Sequence, residues 1–63
     1  MKYLIIFRAK MPTHIAEVIR EVDVMNADEL RGEIELHGEM ISEERGVCFR
    51  CEDIEEVEED GTL

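Results

Sequence analysis

The sequence predicts a mainly β fold, which is a small antiparallel meander or a five-element sheet curled like a barrel, within one domain spanning residues 1–63. Residues 3–7 are all apolar, which is typical of a central strand buried on both faces. Residues 30–40 alternate between apolar or glycine and polar, as a half-buried strand does. The segments between the predicted strands are short, which favours antiparallel pairing of consecutive strands. We therefore expect strands near 2–10, 15–25, 30–41 and 46–52, a short fifth element near 54–58, and a frayed end at about 59–63.

The segment after the first strand fits two patterns. Pro12 ends the first strand, because proline cannot donate a hydrogen bond to a ladder. The apolar residues from Ile15 to Val22 match helical spacing and strand alternation alike. Their β-branched side chains favour a strand slightly. The alternative fold is therefore α+β, with one helix at about 13–23 packed on the sheet.

The later segments carry turn residues at their ends. Residues 26–29 have the chemistry of a turn, and residues 42–46 close a predicted hairpin in which Gly46 supplies a positive φ. A helix between these two turns would contain Gly32 and Gly38, each of which would reduce its stability by about 1 kcal/mol. These glycines favour a strand, in which they permit close approach or a sharp bend.

The charge is the strongest indication of function. The net charge is −10, with four cations against two acids in residues 1–22 and three against fifteen in residues 23–63. Such a field repels nucleic-acid phosphate and anionic lipid and attracts basic surfaces. We expect a basic protein surface as the partner, with no direct nucleic-acid or membrane contact. The candidate contact residues are Glu33, Glu35, Glu39, Glu52, Asp53, Glu55, Glu56, Glu58 and Glu59.

Metal, redox and catalytic sites have weaker support. Cys48 and Cys51 form a single Cys-x-x-Cys motif, whereas a structural zinc site needs four ligands. In a regular strand, residues three apart point to opposite faces. His37 is expected to be solvated between Glu35 and Glu39. We expect two free thiols and no cofactor, and we keep a metal element with Cys48, Cys51 and His37 as weak candidate ligands as an alternative.

These features predict a small acidic protein that binds another protein and is not an enzyme. The apolar run at the start is too short for a secretory signal, and no segment approaches the roughly 20 apolar residues that span a bilayer, so we expect a cytoplasmic location. A phage-type accessory or inhibitor protein matches this description. The alternative is a structural domain that forms a homodimer to cover its small core.

Overall fold

The structure, a computed structural model, describes residues 1–57 and is a three-stranded antiparallel sheet with one helix. The elements in chain order are β1 (Lys2–Lys10), β2 (Ile15–Asp23), α1 (Ala27–Arg45) and β3 (Arg50–Val57). The strand order is β2-β1-β3, so β2 and β3 run in the same direction on either side of β1. The α+β composition is therefore confirmed, whereas the barrel and the five-element meander are wrong.

The first two strands form a hairpin along their whole length. Their register pairs Lys2 with Asp23 and Lys10 with Ile15, and the connection is closed by a hydrogen bond of 2.9 Å from the Met11 amide to the His14 carbonyl. The predicted central position of the first strand is confirmed, because β1 pairs with both other strands. A strand after Pro12 is also confirmed, and the alternative helix at 13–23 is wrong. Pairing with β1 outweighs the helical spacing of these residues.

The strand predicted at 30–41 is wrong, because these residues belong to α1. In a helix, residues four apart lie on the same side. The alternating apolar and glycine positions therefore form two rows on opposite sides of α1, one at 30, 34 and 38 and the other at 32, 36 and 40. One row packs towards the sheet, whereas Leu36 and Met40 in the other row are 51 and 57 % exposed. The inner residues are Leu30, Ile34, Gly38 and Ile41.

Both ends of α1 are capped by residues for which the sequence predicts turns. The Asn26 side chain accepts a hydrogen bond of 2.9 Å from the Glu29 amide and is the N-cap. Gly46 has φ of 70° and is the C-cap, where its amide donates to the Ser42 carbonyl at 2.8 Å. The predicted positive φ at Gly46 is confirmed, but it ends a helix rather than a hairpin.

The last strand is a single element. The strand predicted at 46–52 and the element predicted near 54–58 are replaced by β3, within the described residues. β1 pairs Phe7 with Cys51 but Ile6 with Asp53, so Glu52 is an extra residue in a bulge. The predicted frayed end lies outside the described residues.

The core lies between α1 and one face of the sheet. It is aliphatic apart from Phe7 and Phe49, and it has no buried polar residue within residues 1–57. In that range no helix is both long enough and apolar enough to cross a membrane. The buried core residues are Ile5, Phe7, Ala9, Val18, Val22, Val24, Ile41 and Phe49.

Candidate binding groove

A groove of about 660 Å³ lies between α1 and the segment that leads into β3. Its apolar walls come from both sides. Ile34 lies on α1, Phe7 on β1, and Val47, Phe49 and Cys51 on the segment that returns to the sheet. We call this feature the acidic groove, because carboxylates stand along its helical rim.

Three glutamates occupy successive turns of α1 along this rim. Glu35, Glu39 and Glu43 all line the acidic groove and are exposed. Residues four apart on a helix are separated by about 6 Å along its axis, so the three form a row about 12 Å long. None of them forms an ion pair with another residue in the part of the chain described. The row therefore presents its full negative charge to solvent.

This row is unfavourable for the helix that carries it. Like charges four residues apart destabilise a helix by about 0.2–0.5 kcal/mol per pair. Glu43 and Glu44 also lie in the last turns of α1, near the negative end of the helix dipole, where cations are preferred. A cation placed against the row would relieve this repulsion.

The segment that closes the acidic groove is attached to α1 by a hydrogen bond from its backbone to a helix side chain. Ser42 Oγ accepts a hydrogen bond of 2.8 Å from the Phe49 amide and lies 3.5 Å from the Phe49 carbonyl oxygen. The Arg45 guanidinium lies 6.0 Å from the centre of the Phe49 ring. The only serine of the chain thus fixes the aromatic wall of the groove, and the hairpin turn expected there is replaced by the end of a helix.

Both cysteines line the acidic groove. Cys48 lies before β3 rather than in it, so strand alternation does not separate the pair. Cys48 is exposed, whereas Cys51 is half-buried and its Sγ donates to the Asp53 carbonyl at 3.8 Å. Burial raises the pKa of the Cys51 thiol. Within residues 1–57 there is no cluster of three or more His, Cys, Asp or Glu residues that could hold a metal ion.

His37 does not lie where the sequence predicted. It is on the inner side of α1, its side chain is 24 % exposed, and its Nε2 lies 3.6 Å from Glu33 Oε1. The expected position of His37 between Glu35 and Glu39 on one face is wrong, because residues two apart on a helix point in different directions, but its side chain is still partly exposed.

The predicted acidic surface is divided between two sides of the molecule. Glu35 and Glu39 lie on the groove rim, where Glu43 joins them, and Glu33 contacts His37. The β3 carboxylates lie on the sheet instead. Glu43 was missed because its segment was predicted to be a turn; helical periodicity from Glu35 would have identified it. Glu52, Asp53 and Glu55 lie on the face opposite α1, Glu56 pairs with Tyr3, and Glu58 and Glu59 lie outside the described residues.

A second, smaller depression lies on the outer side of α1. Its volume is about 410 Å³, and it is lined by Leu36 and Met40 together with Glu39, Glu43 and Glu44. Glu39 and Glu43 therefore border both depressions, with apolar side chains on either side of the acidic row.

Comparisons of this chain with models of protein families, with curated proteins and with solved structures gave no significant match.

Proposed function

We propose that this chain is a non-catalytic protein-binding module that engages a basic protein surface through the acidic groove. The observation that carries the proposal is the row of Glu35, Glu39 and Glu43 along the rim of the acidic groove, which has a volume of about 660 Å³ and apolar side chains in its walls. The row supplies charge complementarity and steering, and the cavity supplies a site for an apolar anchor. An accessory or inhibitor protein of phage type, acting in the cytoplasm, is the role that fits such a module.

The apolar walls favour a protein partner over nucleic acid or lipid. Phosphate groups are repelled by a row of carboxylates, whereas Lys and Arg side chains are attracted to it. Ile34 and Val47 would contact an apolar side chain from the same partner. The matching partner segment carries a line of cations with apolar residues on at least one side.

The energetic cost of the row supports a binding role. A helix that is only structural gains nothing from three like charges at successive turns. Cations of a bound segment would attract the three glutamates and offset the repulsion among them. The charge that destabilises the free helix would thus stabilise the complex.

The test compares two variants that lose the same charge. The groove variant is Glu35→Gln, Glu39→Gln and Glu43→Gln. The control is Glu21→Gln, Glu55→Gln and Glu56→Gln, which removes three charges from β2 and β3. Both are titrated at low protein concentration with a short helical peptide that has Lys at every fourth position and Leu beside each Lys, at low and at high salt.

The proposal predicts that the groove variant binds the peptide at least tenfold more weakly than the control does. NMR shift changes in the unmodified protein should concentrate at Gly38, Val47 and Phe49, and binding should weaken as salt rises. Equal losses in both variants, or shift changes spread over the whole chain, would mean that only net charge is involved and would overturn the proposal.

A further inference from the structure

The helix side of the sheet is covered unequally by α1. Val18 and Val22 of β2 belong to the core and are only 7 and 5 % exposed, whereas Ile54 of β3 is 40 % exposed. Ile54 pairs with the buried core residue Ile5, so strand register places Ile54 on the side of the sheet that faces α1. The helix therefore covers β2 and leaves β3 partly open.

The uncovered side chain of β3 continues the acidic groove. Cys51 lines the groove and pairs with Phe7, whereas Ile54 pairs with Ile5, two residues earlier on β1. Ile54 thus lies about 7 Å beyond Cys51 along the sheet, at the end of the groove away from Val47. We call the acidic groove together with Ile54 the slot.

The slot runs along α1, with charge on one side and apolar side chains on the other. Because α1 connects the parallel strands β2 and β3, it runs in the direction opposite to both. The Phe49 amide donates to Ser42 where α1 ends and β3 is about to begin, so β3 leads back along the helix towards Glu35. The glutamates of the groove rim therefore face an apolar strip that ends at Ile54.

The slot has the position and the dimensions of a second helix. An α-helix with its side chains is about 10–12 Å across, and neighbouring strands are about 4.8 Å apart, so one helix covers about two strands. Two packed helices lie about 8–10 Å apart, which sets a helix beside α1 above β3. An added strand would instead extend the sheet at its edge and would leave the slot uncovered.

We propose that the slot binds a basic amphipathic α-helix of another protein, which packs beside α1 and over β3. This proposal rests on the proposed function and adds the conformation and the position of the bound segment. The apolar side of the bound helix covers Val47, Cys51 and Ile54. Its cations lie beside the three glutamates of the groove rim.

The charges around the slot match a short cationic stripe. Arg31 precedes Glu35 by one turn of α1, and Glu56 lies on the same side of β3 as α1, so the far end of the slot carries both signs. At the other end, the Arg45 guanidinium lies 6.0 Å from the centre of the Phe49 ring. Cations are therefore attracted over the length of the glutamate row, about 12 Å, which corresponds to three side chains spaced four residues apart on the bound helix.

The helix of a second copy of this chain does not fit the slot. Within residues 1–57 the only helix is α1, which has seven acidic residues against two arginines. Its exposed apolar residues, Leu36 and Met40, lie among the carboxylates of Glu39, Glu43 and Glu44. Packing of α1 into the slot of another copy would set carboxylates beside carboxylates, so the charge favours a basic helix from a different protein.

The first test separates a helical partner from one that is only basic. The peptide with Lys at every fourth position is compared with the same sequence containing two central residues of D configuration, which keeps the charge and the apolar content but disfavours a right-handed helix. We expect the all-L peptide to bind at least about tenfold more tightly and to gain helical circular dichroism on binding, since short helices are marginal in water. Equal affinities, or binding without a gain of helix, would overturn the proposal.

The second test compares two isoleucines of similar exposure on opposite faces of the sheet. Ile54→Ser removes an apolar contact from the slot. Ile19→Ser is the matched control, because Ile19 is 49 % exposed on the other edge strand and faces away from α1. With both variants folded by circular dichroism, Ile54→Ser should weaken binding of the all-L peptide at least about fivefold, and Ile19→Ser should leave it within about twofold. Equal effects in the two variants would overturn the proposal.

The two proposals can fail separately. If the groove variant loses binding while the D-containing peptide and Ile54→Ser bind normally, the acidic groove is a site for basic segments, but no helix lies over β3. If the groove variant binds as tightly as its charge-matched control, the proposed function fails as well, whatever the conformation of the peptide.

Discussion

Gly38 lies against the ring of Phe7, and a Cβ atom at Gly38 would be 3.3 Å from Phe7 Cε1. Phe7 is 1 % exposed and enclosed by the core, so its ring has little room to move. The missing side chain lets α1 approach β1 at the base of the acidic groove. A residue that weakens the helix locally thus determines how closely the helix and sheet pack.

Gly32 and Gly38 should respond differently to substitution by alanine. Apart from the adjoining backbone of α1, no atom of residues 1–57 lies within 4 Å of a Cβ placed at Gly32, so Gly32→Ala should raise the free energy of unfolding by about 0.5–1 kcal/mol. Gly38→Ala should lose this gain or destabilise the protein by about 1 kcal/mol, because the methyl group presses on Phe7. Thermal unfolding separates the two, since 1 kcal/mol shifts Tm by about 4–8 °C in a domain of this size. Equal stabilisation by both would show that α1 does not approach Phe7 closely.

The N-cap of α1 should contribute measurably to stability. Asn26→Ala removes the acceptor of the Glu29 amide and should lower the free energy of unfolding by about 1 kcal/mol. Asn26→Asp keeps an acceptor and should remain close to the original stability. Denaturant unfolding at neutral pH measures both, and a loss of similar size in the two variants would argue against the cap.

Removal of the Ser42 hydroxyl should loosen the wall of the acidic groove. Ser42→Ala leaves the Phe49 amide without its 2.8 Å acceptor, which should cost about 1–3 kcal/mol. Hydrogen exchange at the Phe49 amide should accelerate, whereas Ser42→Thr should retain most of the protection. Unchanged exchange in Ser42→Ala would show that this amide is protected by another group.

The two cysteines should differ in reactivity. Cys48 is exposed, whereas Cys51 is half-buried with a raised pKa and a weak hydrogen bond to the Asp53 carbonyl. Because the thiolate is the reactive form, iodoacetamide at pH 8 should label Cys48 first. Peptide mass spectrometry measures the order of labelling. The difference should disappear in denaturant, and equal rates in the folded protein would contradict the burial of Cys51.

The groove variant Glu35→Gln, Glu39→Gln and Glu43→Gln should be more stable than the original chain. It removes two like-charge pairs at helical spacing, which should raise the free energy of unfolding by about 0.4–1 kcal/mol at low salt. The gain should shrink as salt screens the charges. Urea unfolding at low and high salt tests this sign, and destabilisation would mean that the carboxylates have stabilising partners in the free protein.

The hairpin could be predicted from the sequence because its signals are local. The apolar run at residues 3–7 indicates a central strand, and Pro12 marks the break after it. The second strand was ambiguous until its pairing with β1 was known, since the same valines and isoleucines fit a helical stripe. Contact between distant segments, rather than local preference, decides such a stretch.

The helix was missed because residues 30–40 alternate as a strand does, whereas in the helix only one of the two apolar rows packs on the sheet and Leu36 and Met40 are exposed. Gly32 and Gly38 argue against a helix by their low helix propensity. Gly32 is exposed, and Gly38 leaves the space into which the Phe7 ring packs. Asn26 and Gly46 contained the opposing evidence, since an N-cap residue and a glycine about twenty residues later bracket a helix. The acidic groove exists only if residues 27–45 form a helix. The sequence therefore identifies Glu35 and Glu39 by their charge but does not show that they align with Glu43.

The bulge at Glu52 affects which changes of length β3 can accept. Cys51 lines the acidic groove and Asp53 lies on the sheet face opposite α1, although residues two apart in a regular strand point to the same side. Deleting Glu52 would restore regular alternation and keep both side chains where they are, losing only a partially exposed ion pair with Arg8. Deletion of Ile54 would shift the register of β3 by one residue, so the side chains that follow it would move to the opposite face of the sheet. Natural variation in chain length should therefore be tolerated in β3 at Glu52, and elsewhere in the loop 11–14.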